Sequence, residues 1–96
     1  MKTKIEIENK LKEIKPILIN KFFVSQIGYF GSFVTDEQTE ISDIDILVEF
    51  SKPIGWNFFT LEKYLEDTFE LKIDLVTKNA LKEQFKDNIL KQVRYI

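Results

Sequence analysis

"GSFVTDEQTEISDIDILVEF", Gly31 to Phe50, joins a glycine-serine pair to a β-prone run that carries Asp43 and Asp45. In an extended chain Ile44, Ile46, Val48 and Phe50 share one face, and Asp43, Asp45, Leu47 and Glu49 share the other. The aliphatic face predicts a packed core. The aspartates need a different account, because an ionised carboxylate drawn away from water is costly unless it finds hydrogen bonds, an opposite charge or a metal. Two neighbouring carboxylates raise each other's pKa, and a divalent cation between them reverses that penalty.

A second strand pattern supplies a third carboxylate. In "LKIDLVT", Leu71, Ile73 and Leu75 alternate with Lys72, Asp74 and Val76. Asp74 has the same phase as Asp45. If the two strands pair, Asp43, Asp45 and Asp74 converge on the face opposite the aliphatic one.

Composition narrows the chemistry. The chain of 96 residues contains no Cys and no His. Thiol nucleophiles, thiolate zinc sites, a Ser-His-Asp triad and imidazole-based metal centres are therefore excluded, which leaves carboxylates, hydroxyls, lysines and hard cations. Carboxylates with oxygen-only chemistry suit magnesium, which keeps waters and substrate phosphates in its shell. A Gly-Ser pair at a strand end, Gly31-Ser32, lets backbone amides and a hydroxyl approach phosphate oxygens. Together these residues describe a site for a nucleoside triphosphate.

The 14 basic and 16 acidic residues leave a net charge of −2, without the basic excess of a protein that grips nucleic acid backbone. The N-terminal "MKTKIEIENKLKEIK" lacks a signal-peptide pattern, and no apolar run reaches the ~20 residues of a membrane span. The expectation is a cytoplasmic protein, one domain over residues 1–96, with no direct nucleic acid or membrane partner.

The remaining pattern places these residues on elements. Ile7, Leu11, Ile14, Leu18 and Phe22 recur at helical spacing, with Pro16 predicting a kink or a break near Glu13. "VSQIGYF", Val24 to Phe30, reads as a strand closing on Gly31, and Thr35 to Ser42 reads as polar and turn-like or weakly helical. Asn57 is placed as the cap of a helix through about Phe69, with Phe58, Leu61, Leu65 and Phe69 as its apolar stripe. A last helix is expected from Leu81, burying Ile89, Leu90, Val93 and Ile96. The fold class is α/β (α+β): a mixed sheet of about three strands or slightly more, with helices mainly on one face.

Gly31-Ser32, ten intervening residues and then "DID" resemble the signature of the DNA polymerase beta nucleotidyltransferase superfamily, and "KIDLVTKNALKEQFKDNILKQVRYI" is similar to the end of its minimal nucleotidyltransferase members. The resemblance spans nearly the whole chain. It implies a small catalytic palm in which Gly31 and Ser32 hold the triphosphate, Asp43 and Asp45 bind two magnesium ions, and Asp74 binds the catalytic ion and helps activate the acceptor hydroxyl. It implies transfer of a nucleoside monophosphate, AMP from ATP, to a hydroxyl. For minimal members it also implies a partner, a HEPN-family ribonuclease toxin with an acceptor tyrosine, toward which the nucleotidyltransferase acts as antitoxin.

One departure stands beside the motif. Where members of the superfamily commonly carry Ala-Arg-Gly after the Gly-Ser, this chain has Val34, Thr35 and Asp36, with Lys52 or Lys63 as candidates to replace the missing cation. Two further readings stay open on these residues: a module with degraded chemistry that neutralises a partner by binding, and transfer to a small molecule. Trp56 and Phe59 lie off the apolar stripe, either as a lid on the core or as part of a partner surface.

Overall fold

The computed structural model describes residues 3–35, 37–38 and 43–96. Asp36, and the part of the polar turn formed by residues 39–42, lie outside the described residues. The first helix, α1 (Lys4–Phe22), starts where the sequence supplies a capping box: Thr3 Oγ1 accepts from the Glu6 N–H at 3.3 Å and donates to Glu6 Oε1 at 3.4 Å. It ends at Phe23, whose left-handed backbone (φ 57°) lets its N–H reach the Leu18 carbonyl.

Of the two expectations for Pro16, the break near Glu13 does not occur, and one helical segment runs from Lys4 to Phe22. Pro16 lies on the exposed side. The carbonyl it leaves without a helical partner is that of Lys12, itself exposed, so water can replace the missing bond. Ile7, Leu11, Ile14, Leu18 and Phe22 are all buried.

Three strands then build most of the sheet: β1 (Val24–Phe30), β2 (Ile44–Phe50) and β3 (Ile73–Thr77). A four-residue helix, α2 (Ser32–Thr35), lies between β1 and β2, and α3 (Asn57–Phe69) connects β2 to β3. The β1–β2 pair is antiparallel and the β2–β3 pair is parallel, as a crossover through a helix requires. Asn57 is the first helical residue of α3 rather than its cap; Trp56 precedes it without a side-chain capping bond, and the Asn57 N–H donates to the Ile54 carbonyl.

The chain's end departs most from the sequence expectation. The last helix, α4 (Glu83–Gln92), follows a 3-10 turn (Lys78–Ala80) and has no fully buried side chain. Ile89 and Leu90 are only half-buried, and Val93 and Ile96 lie beyond the helix. Arg94–Tyr95 instead form a fourth strand, β4, antiparallel to β1, giving the order β3-β2-β1-β4. Amphipathic spacing suggested a helix here, but β1 would otherwise present an unpaired edge, and pairing satisfies its backbone groups.

The core lies between the sheet and α1 with α3. Leu61, Leu65 and Phe69 of α3 pack with Ile44, Ile46 and Val48 of β2 and with the α1 stripe. Phe58 only packs partly against this core. On the helical side a polar clamp holds β4: Tyr29 Oη donates to Glu8 Oε2 at 2.7 Å, Arg94 Nε stands 3.5 Å from the same oxygen, and Lys15 Nζ donates to the Ile96 carbonyl at 2.7 Å. Burial and the bond to Glu8 push the Tyr29 hydroxyl up to about 12, so it remains a donor across the working pH range.

β4 lies close enough to β1 that Gly28 has no room for a side chain. A Cβ there would stand 2.7 Å from both the Arg94 carbonyl oxygen and Val93 Cγ1. Gly28→Ala is expected to destabilise the protein by about 1–3 kcal/mol through overpacking, measured by urea unfolding; unchanged stability would show that β4 shifts away at no cost.

Candidate active site

The register of the sheet brings the motif residues together. Phe30 pairs with Asp45 across β1 and β2, and Asp45 pairs with Asp74 across β2 and β3. Neighbouring strands stand ~4.8 Å apart, and residues paired across parallel strands share a face. The order across that face is therefore the Gly31-Ser32 turn at the end of β1, Asp45 in the middle, and Asp74 on the edge strand. Asp43 precedes β2 and is exposed, Asp45 is half-buried, and Asp74 is exposed.

Gly31 is required where it stands. Its φ of +78° is left-handed, and a Cβ on it would collide with Asp45 Oδ2. The glycine thus lets the turn approach the carboxylate directly. Its carbonyl accepts from the Val34 N–H at 3.0 Å, which winds the chain into α2 and brings Phe33 into the core. Its N–H donates to Gln92 Oε1 at 2.9 Å, a contact across 61 positions of sequence that motif spacing gives no sign of.

Asp45 is the perturbed acid of the site. Burial, followed by the charge of Asp74, the charge of Asp43 and a hydrogen bond shared with Asp74, pushes its carboxyl up to about 6. Among the described residues no three acidic side chains stand close enough to hold a common metal ion as they are. The charges of Asp74 and Asp43 nonetheless act on Asp45, and a hard divalent cation among these carboxylate oxygens would relieve that repulsion.

The other candidates fall elsewhere. Thr35 Oγ1 turns back onto the backbone, 3.5 Å from the Gly31 carbonyl oxygen and 3.4 Å from that of Ser32. Neither lysine suggested as a replacement cation reaches the turn. Lys52 sits 3.8 Å over the Phe23 ring, at the opposite end of β1 from Gly31, about 20 Å away at the rise of a seven-residue strand. Lys63 pairs with Asp67 at 2.8 Å on α3, on the far side of the sheet. Trp56 and Phe59 are exposed and stack at 5.8 Å, so neither closes the core as a lid.

Residues 12–96 match the family Polymerase beta, Nucleotidyltransferase. The chain belongs to this family. Among relatives of the nucleotidyltransferase, a Methanocaldococcus jannaschii protein named as a candidate protein adenylyltransferase is 47% identical over 98 residues, covering 100% of both chains. The protein adenylyltransferase MntA of Thermococcus cleftensis is 43% identical over 97 residues, covering 100% of this chain and 98% of the relative. The fold is similar to a crystal structure of a toxin-antitoxin with AMP-PNP, with a TM-score of 0.71 and 25% identity over 91% of this chain and 71% of that one. A minimal nucleotidyltransferase structure matches with a TM-score of 0.76 and 23% identity over 93% and 92% of the two chains, a likeness of fold. The chain is accordingly a member of the nucleotidyltransferase family whose full-length relatives are named for protein adenylylation, and no helix among the described residues is long and apolar enough to cross a membrane.

The raised carboxyl has a consequence for stability without metal. Below pH ~4 Asp45 is protonated in both folded and unfolded states. Between the ordinary value of 3.8 and about 6 only the folded state holds the proton, so its contribution to stability falls as pH rises and is fully unfavourable above about 6. Asp45→Asn is expected to melt a few degrees above the wild type at pH 7.5 in chelator, with the gap closing near pH 4. A lower melting temperature for the variant at pH 7.5 would contradict the crowding of charge around Asp45.

Proposed function

We propose that the chain transfers AMP from ATP to a tyrosine hydroxyl of a HEPN-family ribonuclease toxin and so acts as its antitoxin, with Asp43, Asp45 and Asp74 as ligands for magnesium. The observation that carries this reading is the paired register of Asp45 and Asp74 beside the Cβ-free approach of Gly31. It is supported by relatives named for protein adenylylation and by fold neighbours that are toxin-antitoxin complexes.

The order of residues across the sheet suggests how the work is divided. Gly31 and Ser32 bind the triphosphate at the β1 end. Asp45, between them and Asp74, would hold the cations together with Asp43 and Asp74. Asp74, exposed on the edge strand, is open to an incoming hydroxyl and orients it for in-line attack. Two magnesium ions, when bound, would polarise the attacking and leaving oxygens of the phosphoryl displacement. In this reading the acceptor tyrosine is presented by the partner protein. An adenylyl group beside an RNA-cleaving site would repel RNA phosphate by its charge.

One observation favours a second reading, a module that neutralises its partner by binding alone. Thr35 offers no cation beside the turn, and Lys52 and Lys63 lie elsewhere. Loss of a charged contact to a triphosphate costs about 1.5–3 kcal/mol where nothing replaces it.

Intact mass spectrometry of the partner, co-purified with wild type and with Asp45→Asn, separates the two. AMP increments on the partner with the wild type and none with the variant are expected. A stable complex with an unmodified partner, after addition of magnesium and each triphosphate, would overturn transfer in favour of binding.

A further inference from the structure

The Gly31 N–H lies beyond the reach of the sheet. The β1–β2 register ends at Phe30 and Asp45, and the β1–β4 register ends at Tyr29 and Arg94, so no strand supplies an acceptor for it. Gln92, the last residue of α4, supplies one through Oε1 at 2.9 Å. The orientation of this amide follows from chemistry, since a backbone N–H only donates and must face the oxygen. Gln92 Nε2 then turns to the Asn88 carbonyl at 3.5 Å, one turn back along its own helix.

The segment after Gln92 is fixed independently. Val93 fills the space over Gly28, the Ile96 N–H donates to the Ile27 carbonyl at 2.9 Å, and Arg94 and Ile96 are held by Glu8 and Lys15 of α1. α4 itself buries no side chain completely. The position of Gln92 is thus set by the clamp on β4, and its side chain carries that position to the turn.

We infer that Gln92 is a positioning residue for the triphosphate turn: by accepting the Gly31 N–H, it fixes the left-handed glycine and with it the approach of the Gly31-Ser32 turn to Asp45. This rests on the reading of Gly31-Ser32 as the triphosphate site. Gly31 is the residue in the turn with the most backbone freedom, and a turn already ordered loses less on binding than one that must be ordered by the ligand. Gln92 touches no phosphate in this scheme. It acts through Gly31.

The test compares wild type, Gln92→Leu, which keeps the approximate size but accepts no hydrogen bond, and Gln92→Glu, which retains an acceptor oxygen. Affinity for magnesium with AMP-PNP is measured by calorimetry well below each melting temperature, and exchange of the Gly31 amide proton is followed by NMR. Gln92→Leu is expected to bind roughly 3- to 10-fold more weakly, the range of one neutral hydrogen bond, and to lose protection at Gly31. Gln92→Glu is expected to retain protection at Gly31 through its acceptor oxygen, while its added charge beside the anionic site weakens nucleotide binding. A destabilised control away from the clamp and the turn, Phe58→Ala, is expected to melt earlier with unchanged nucleotide affinity, and an equal loss of affinity there would reduce the Gln92 effect to general loosening and overturn the inference. Unchanged affinity in Gln92→Leu would overturn it alone, and tighter binding would do so by showing that Gln92 competes with phosphate for the Gly31 N–H. Failure of the wild type to bind nucleotide would remove the triphosphate reading and the inference with it.

Discussion

The approach of Gly31 to Asp45 is the constraint around which the rest of the molecule is arranged. It demands a residue without Cβ, in a left-handed conformation, at the point where β1 ends and opposite the start of β2. Shifting β2 by one residue against β1 would turn Asp45 into the core and Ile44 and Ile46 out of it. The aliphatic face of β2 therefore secures the site: burial of Ile44, Ile46 and Val48 holds the aspartate on the other face, against its own electrostatic preference.

The parallel pairing of β2 and β3 completes that arrangement at some cost. Placing Asp74 directly beside Asp45 in the metal-free protein concentrates negative charge where burial already disfavours it, and the carboxyl of Asp45 responds by holding its proton to about pH 6. In the proposed function a cation would relieve this repulsion. The same logic gives the crossover helix α3 its part, because a parallel neighbour for β2 requires a connection across the sheet, and α3 makes it over the core face, away from Asp45 and Asp74.

The far end of the chain serves the near end of the motif. Through Glu8, Tyr29, Arg94 and Lys15, α1 secures β4, and the residue immediately before that segment contacts the glycine of the turn. The first helix, the edge strand and the candidate site are thus one connected unit. The departure at Thr35 is set within it: the hydroxyl closes on its own backbone, and the lysines of the β2–α3 connection and of α3 are committed to Phe23 and Asp67.

What the sequence determined by itself was whatever depends on periodicity and local chemistry. The α1 stripe, the shared phase of Asp45 and Asp74, the strand β1 and the extent of α3 all follow from side-chain periodicity, which is a property of neighbouring residues. Tertiary structure decided the rest. The unbroken α1 depends on Pro16 facing solvent, and the change of Val93 to Ile96 from helix to strand depends on an open edge of β1 that only the assembled sheet presents. The bond from Gln92 to Gly31 joins residues 61 positions apart, and the bond from Lys15 to Ile96 spans 81. No local pattern encodes such pairs, because their partners become neighbours only after the core has brought the two ends of the chain to the same side of β1.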